Sequence, residues 1–177
     1  MLHFLLNCHG EWYVLFAILT SIPFIGPYIK KLIGAKMKVK VMKLDAGATI
    51  PKYAKHGDAG MDLYAVSESF DDHGNYVYGT GLAMEIPEGY VGLIFPRSSI
   101  SKTAHSLRNA VGVIDSGYRG EIMMKYDIDT LNSPVYKVGD RIAQIIILPY
   151  PQIEFEEAWE LSKTQRGKGG FGSSGTN

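Results

Sequence analysis

From Met37 onward the apolar residues of this chain come in short runs that either alternate or stay compact for a few positions, and no stretch carries the 3.6-residue period of a long amphipathic helix. Lys38 to Leu44 alternates with period two, Val91 to Phe95 and Ile142 to Leu148 are compact apolar runs, and Glu121 to Ile128 is a further strand candidate. Pro87-Glu88-Gly89, Asp72-His73-Gly74 and Val138-Gly139-Asp140 break them with turns. Short strands of this kind bury their apolar side chains only against one another. The expected fold is therefore all-β, a sandwich or jelly roll in which stacked or closed sheets manage the exposed edges. A length of 177 residues suits one domain with a single core.

The chain divides near Met37. Trp12 to Ile29 is uncharged and rich in Leu, Ile, Phe and Val, at the lower limit of a bilayer span, with Pro23, Gly26 and Pro27 working against a straight helix. A secretory signal fits poorly, since a basic start and a clear small-residue cleavage site are missing. Two readings stay open for residues 1–36. Either the segment inserts, with Lys30, Lys31 and Lys36 keeping the body cytoplasmic, or translation begins at Met37 and the segment is not made. A membrane is a partner only in the first.

Charge narrows the function classes. Removing Lys30, Lys31, Lys36 and Glu11 from 18 cations and 18 acids leaves 15 basic and 17 acidic residues from Met37 onward. Such a body lacks the clustered basic face that counterion release on a nucleic-acid backbone demands, so polymeric nucleic acid is not an expected ligand. Cys8 is the single cysteine, which excludes an internal disulfide and suits a reducing cytoplasm. The five histidines are too scattered for a zinc site on one element. A metal is expected to come with the substrate.

Two runs concentrate the chemistry. Gly112 to Glu121, GVIDSGYRGE, sets a carboxylate and an aromatic in what reads as a tight hairpin, and Arg166 to Gly175, RGKGGFGSSG, offers backbone amides, two cations and a ring. Glycine lets a backbone approach phosphate oxygens closely, Arg166 can grip a terminal phosphate in paired bonds, and Phe171 can cover a flat base. Order in that tail would have to come from a ligand. Pro96-Arg97-Ser98-Ser99 leaves a cation and two hydroxyls at a strand end, where Ser98 or Ser99 also suits the N-cap of a short helix. Together these groups point to a nucleoside triphosphate.

In order along the chain, Ala59-Gly60-Met61-Asp62-Leu63-Tyr64, Pro96-Arg97-Ser98-Ser99, Gly112-Val113-Ile114-Asp115 with Tyr118-Arg119-Gly120, Gly139-Asp140-Arg141-Ile142-Ala143-Gln144 and Arg166-Gly167-Lys168-Gly169-Gly170-Phe171-Gly172-Ser173 resemble the five motifs of the trimeric deoxyuridine triphosphatases. The resemblance spans Met37 to Asn177. It implies a β jelly roll, or distorted barrel, assembled as a homotrimer with three active sites at subunit interfaces. Residues 37–162 would form the body and 163–177 a Gly-rich arm closing over another subunit's site. The implied reaction is magnesium-dependent hydrolysis of dUTP to dUMP and pyrophosphate.

Carried over by motif, the resemblance makes Asp115 the base that orients water toward the α-phosphorus and Asp62 the carboxylate that holds metal-bound water. Arg97, Ser98, Ser99 and Gln144 would grip the phosphates, with Arg166, Gly170, Gly172 and Ser173 in the closing arm. Asn109, Gly112, Val113 and Ile114 would present the uracil edge, where a polar pattern built for uracil leaves cytosine mispaired and lack of room excludes thymine's methyl. Tyr118 would pack on the deoxyribose and Phe171 on the base. Ser99 stands where many members have glycine, and Met123, eight past Asp115, where some carry lysine. Arg119 is expected to pair with an acid or a neighbouring subunit, and Asp140 and Arg141 to form a structural pair or turn.

Two other classes remain at this stage. The dCTP deaminases share the jelly roll and triphosphate grip but should lack the Val-Ile-Asp and Tyr-Arg-Gly run. A nucleotide-gated regulatory protein would need a partner surface, for which Ser67 to Gly81 is the candidate segment.

Overall fold

The structure, a computed structural model, describes residues 36–128 and 134–170. The apolar segment before Lys36 and the tail residues Phe171, Gly172 and Ser173 lie outside the described residues.

Among the described residues the elements are strands β1 (Lys40–Lys43), β2 (Met61–Tyr64), β3 (Ser67–Phe70), β4 (Tyr76–Gly79), β5 (Leu82–Glu85) and β6 (Tyr90–Phe95), then a 3₁₀ turn (Ser98–Lys102), β7 (His105–Leu107), β8 (Gly112–Ile114), β9 (Met123–Ile128) and β10 (Arg141–Pro149). Two four-stranded antiparallel sheets, ordered β2-β10-β6-β8 and β3-β4-β9-β7, carry the body, and β1 pairs with β5 as a ribbon. The all-β expectation holds.

Both sheets feed one core. Leu63, Ile94, Ile142 and Ile145 come from the first sheet, Tyr78, Met124, Tyr126 and Leu107 from the second, and all are buried. In β10 the alternation breaks where both Ile142 and Ala143 turn inward, because a bulge sets Arg141 opposite Tyr64 and Ala143 opposite Leu63. Ile142 is the extra residue. Its carbonyl accepts the buried Tyr126 hydroxyl at 2.6 Å, so the opposite sheet satisfies the bulge.

The Ser67–Gly81 segment is built into the second sheet, with β4 paired on both sides by β3 and β9. Its tip is tied by Asp71, whose Oδ1 accepts from the His73 and Asn75 amides at 3.0 Å, with Gly74 at φ +78° completing the turn. The expected strand Glu121 to Ile128 starts later, at Met123, because Glu121 and Ile122 serve the neighbouring loop. Gly81 N donates to Glu121 Oε1 at 2.7 Å and Ile122 N to Leu82 O at 2.9 Å.

His105, 5% exposed, stacks on Tyr136 at 4.6 Å and meets the edges of Tyr76 and Tyr126. Neither ring nitrogen has a hydrogen-bond partner, and burial lowers its pKa from 6.5. The unfolded chain therefore takes up this proton first. The stability contribution of neutral His105 is complete above about pH 6.5 and falls as pH drops below that value. The urea midpoint is expected to decrease between pH 7.5 and 5.5, with a smaller decrease in His105→Phe. An equal decrease in both proteins would place the acid sensitivity elsewhere.

Candidate active site

Chain direction at β7 and β8 decides where the site forms. Gly112–Glu121 does not form the expected tight hairpin, because β8 pairs with β6 in one sheet and β9 with β4 and β7 in the other. With β7 and β8 in different sheets, the turn at Arg108–Ala110 crosses the open edge of the sandwich. Ala110 takes the corner at φ +57°, a left-handed conformation uncommon for a residue with a Cβ. Gly112 then brings β8 close to β6: a Cβ there would sit 3.0 Å from that of Ile94.

Between β8 and the β7–β9 pair lies a cavity of about 440 Å³. Asn109, Gly112, Val113, Ile114, Asp115, Tyr118 and Met123 line it, so one cavity gathers these residues assigned to base, sugar and attacking water. Asp115 is exposed at the end of β8. Its carbonyl accepts the Tyr118 amide at 3.1 Å, closing the turn that brings the tyrosine back beside it. Val113 and Met123 expose 60% and 52% of their surface, an apolar wall open to a flat ligand. Within the chain Arg119 donates to the Ser116 and Tyr118 carbonyls at 2.6 and 2.9 Å, holding its own turn together.

A second, polar cluster gathers where β2, β10 and β6 run side by side. The register sets Gln144 between Asp62 and Phe95, and Arg97 follows two residues beyond. Asp62 takes Arg97 Nε on Oδ1 at 2.7 Å and Arg141 Nη1 on Oδ2 at 3.1 Å. Arg97 Nη1 also donates to Ser99 Oγ at 3.3 Å, and Gln144 Nε2 to the Pro96 carbonyl at 3.0 Å. Two guanidinium groups and one carboxylate leave this cluster with a net positive charge, suited to an anion. Ser98 lies exposed beside it.

One expectation is corrected here and one is resolved. Neither Ser98 nor Ser99 is the N-cap of the 3₁₀ turn; Arg97 occupies that position in extended conformation, without a side-chain cap bond, because its guanidinium is drawn to Asp62. Of the pair or turn expected at Asp140 and Arg141, the turn forms: Asp140 Oδ2 accepts the Lys137 amide at 2.8 Å and Asp140 N donates to Lys137 O at 2.9 Å, while Arg141 pairs with Asp62 rather than with Asp140.

Gly60 shows how closely the two motifs fit: a Cβ on it would lie 2.5 Å from Gln144 Oε1. Glu121, which lines the cavity and accepts Gly81 N, was not singled out from sequence. Its only signal was its place at the end of the Tyr-Arg-Gly run. The arm stands apart. Arg166 Nε donates to Gly169 O at 3.0 Å and is exposed, as is Gly170.

No group of three or more His, Cys, Asp or Glu able to cage a metal occurs among the described residues. Asp62 keeps lone pairs beyond its two guanidinium bonds, which fits a hydrated ion held through its water and not a dedicated protein cage.

The comparisons agree on one family. A family model described as dUTPase matches residues 46–175. The chain is 41% identical over 140 residues to the deoxyuridine 5'-triphosphate nucleotidohydrolase of Corynebacterium glutamicum, covering 77% of this chain and 94% of that protein. It is 39% identical over 146 residues to the enzyme of the same name from Dictyoglomus turgidum, covering 78% and 99%. Among solved structures, a variant of the Staphylococcus bacteriophage 80alpha dUTPase with dUpNHpp superposes at a TM-score of 0.68 with 29% identity, covering 80% of this chain and all of that one. A variant of the phage phi11 dUTPase, solved with a structural Mg(II) ion, superposes at 0.58 with 27% identity, covering 70% and 98%. With its matched region running from the loop after β1 into the glycine-rich tail, this chain belongs to the dUTPase family.

Proposed function

We propose that the chain hydrolyses dUTP to dUMP and pyrophosphate, limiting uracil incorporation into DNA and supplying dUMP for dTMP synthesis. The observation that carries this reading is the single cavity lined by Asn109, Asp115 and Tyr118. Asp115 orients a water for attack on the α-phosphorus and takes its proton. An ordinary carboxylate, with a pKa near 3.9, is a weak base, so placement and charge stabilisation carry most of the rate. Arg97, Ser98, Ser99 and Gln144 hold the phosphates. Asp62 takes hydrogen bonds from the water shell of a magnesium ion that comes with the triphosphate, and the ion supplies neutralisation of phosphate charge.

Selectivity in this reading lies on β8 and its flanking turns. Asn109 and the backbone of Gly112, Val113 and Ile114 read the uracil edge, Met123 closes the far wall, and Tyr118 packs on the deoxyribose. Arg166, Lys168 and the glycine amides of the arm close on the phosphates, with Phe171 over the base, where stacking contributes roughly 1–3 kcal/mol.

The catalytic unit in this reading is a homotrimer, with residues 37–162 as body and 163–177 as closing arm. Two features support it. Phe155 and Trp159 in the segment before the arm are 92% and 105% exposed, apolar surface that a lone chain leaves in water. The cavity and the Arg97 cluster also lie on opposite flanks of β6, so one chain does not bring the two halves together. We place the enzyme in the cytoplasm, where a chain with one cysteine and so no internal disulfide is suited to a reducing environment.

Pyrophosphate release from dUTP, dCTP, dTTP and UTP, each with and without magnesium, tests the activity. Turnover confined to dUTP and dependent on magnesium is the expected result. Binding of dUTP without cleavage would instead support a nucleotide-gated binding protein.

A further inference from the structure

We infer that Gly120 is a specificity-determining residue: the absence of a side chain there is what allows the Tyr118 ring to lie where it rejects a ribonucleotide. The inference deepens the dUTP reading above and rests on it.

A Cβ on Gly120 would lie 2.4 Å from Tyr118 Oη, 2.6 Å from Cζ and 3.0 Å from Cε2. All three atoms belong to one ring, and real Cβ atoms do not approach others so closely. Gly120 is not among the glycines at positive φ, so space and not backbone conformation demands a glycine.

One of the two partners must yield, and the backbone is the less able to do so. The Tyr118 amide donates to Asp115 O at 3.1 Å, and Arg119 ties the Ser116 and Tyr118 carbonyls together with one terminal nitrogen. Among the described residues the ring makes one hydrogen bond, from its hydroxyl to Glu121 O at 3.0 Å. It is 41% exposed, so solvent is open to it. A methyl group at position 120 therefore swings the ring outward, breaks the bond to Glu121 and clears part of the cavity shared with Asp115 and Val113. With Tyr118 packed on the deoxyribose, as in the dUTP reading, that is where the 2′-hydroxyl of a ribonucleotide would have to go. Asp115 keeps its place at the end of β8, so the substitution acts on discrimination more than on chemistry.

The test compares kcat/KM for dUTP and for UTP in wild type, Gly120→Ala, Tyr118→Ala and the double variant. The dUTP-to-UTP ratio is expected to fall about 10-fold or more in Gly120→Ala, within the range that pocket-size discrimination spans. Tyr118→Ala should lower it at least as far, and the double variant should match Tyr118→Ala, because without the ring nothing remains for the methyl group to displace. An unchanged ratio in Gly120→Ala beside a collapsed one in Tyr118→Ala overturns the role of Gly120 and leaves the nucleotide reading standing. An unchanged ratio in both removes Tyr118 as the discriminator, and Gly120 with it. Should Gly120→Ala be unstable, the thermal midpoint of the double variant decides. Recovery to the Tyr118→Ala value supports a steric role through the ring, and no recovery overturns it.

Discussion

Replacing Asp115 with asparagine is expected to lower kcat for dUTP hydrolysis by about 10² to 10⁴-fold while leaving nucleotide affinity within a few-fold of wild type. The substitution keeps side-chain shape and removes only the charge and the proton-accepting oxygen. Asp115 is exposed, and its one structural bond, from the Tyr118 amide, is to its backbone carbonyl, so the turn that orders the cavity survives the change. Loss of turnover with retained binding separates a group acting in the transition state from one that merely holds substrate. Pyrophosphate release read beside calorimetric titration with dUpNHpp makes the comparison. Turnover within tenfold of wild type would remove Asp115 as the base, and a parallel loss of binding would make it a positioning group.

Much of this site was legible in the sequence, because its groups come in local runs. The order Val113-Ile114-Asp115 places a carboxylate directly past an apolar strand, and strand ends are where a sheet offers side chains to a ligand. The polar cluster was legible as members but not as partners. Nothing local links Asp62 to Arg141, which lie 79 residues apart; they meet because β2 and β10 run antiparallel with a bulge at Ile142. The run from Gly112 to Glu121 reads as one hairpin for a similar reason. Three-residue strands carry no sign of which sheet they join, and here that choice is made by the pairing of β7 with β9 and by the close approach at Gly112. Strands β2, β3, β4, β5 and β7 are too short, at three or four residues each, to show a period in the sequence. Gly60 and Gly120 look like turn formers in sequence, and only the positions of Gln144 and Tyr118 show that each is needed for space.

Subunits carrying Asp115→Asn and subunits carrying Arg97→Ala, each inactive alone, are expected to recover activity when assembled together. Ile114 pairs with Gly92 and Gln144 with Phe95, so Asp115 is level with Val91 while Arg97 lies beyond the other end of β6. The four residue steps from Val91 to Phe95 alone separate them by about 13 Å along the strand. They also stand on opposite flanks, one beside β8 and the other beside β10. A water held by Asp115 must come within about 3.5 Å of the phosphorus it attacks, in a nucleotide whose phosphates Arg97 holds. One chain does not meet both demands, whereas two chains around a threefold axis can. In a trimer that contains both variants, about one site in three would then combine an intact Asp115 with an intact Arg97 from different subunits. The readout is kcat per site of mixed oligomers isolated through two different affinity tags, which ensures that both variants are present. If each site were built within a single chain, no subunit would carry both groups and mixing would restore nothing. Failure to recover in verified mixed oligomers would therefore overturn the shared site without touching the role of Asp115, since that residue is tested separately by the loss of turnover in its own variant.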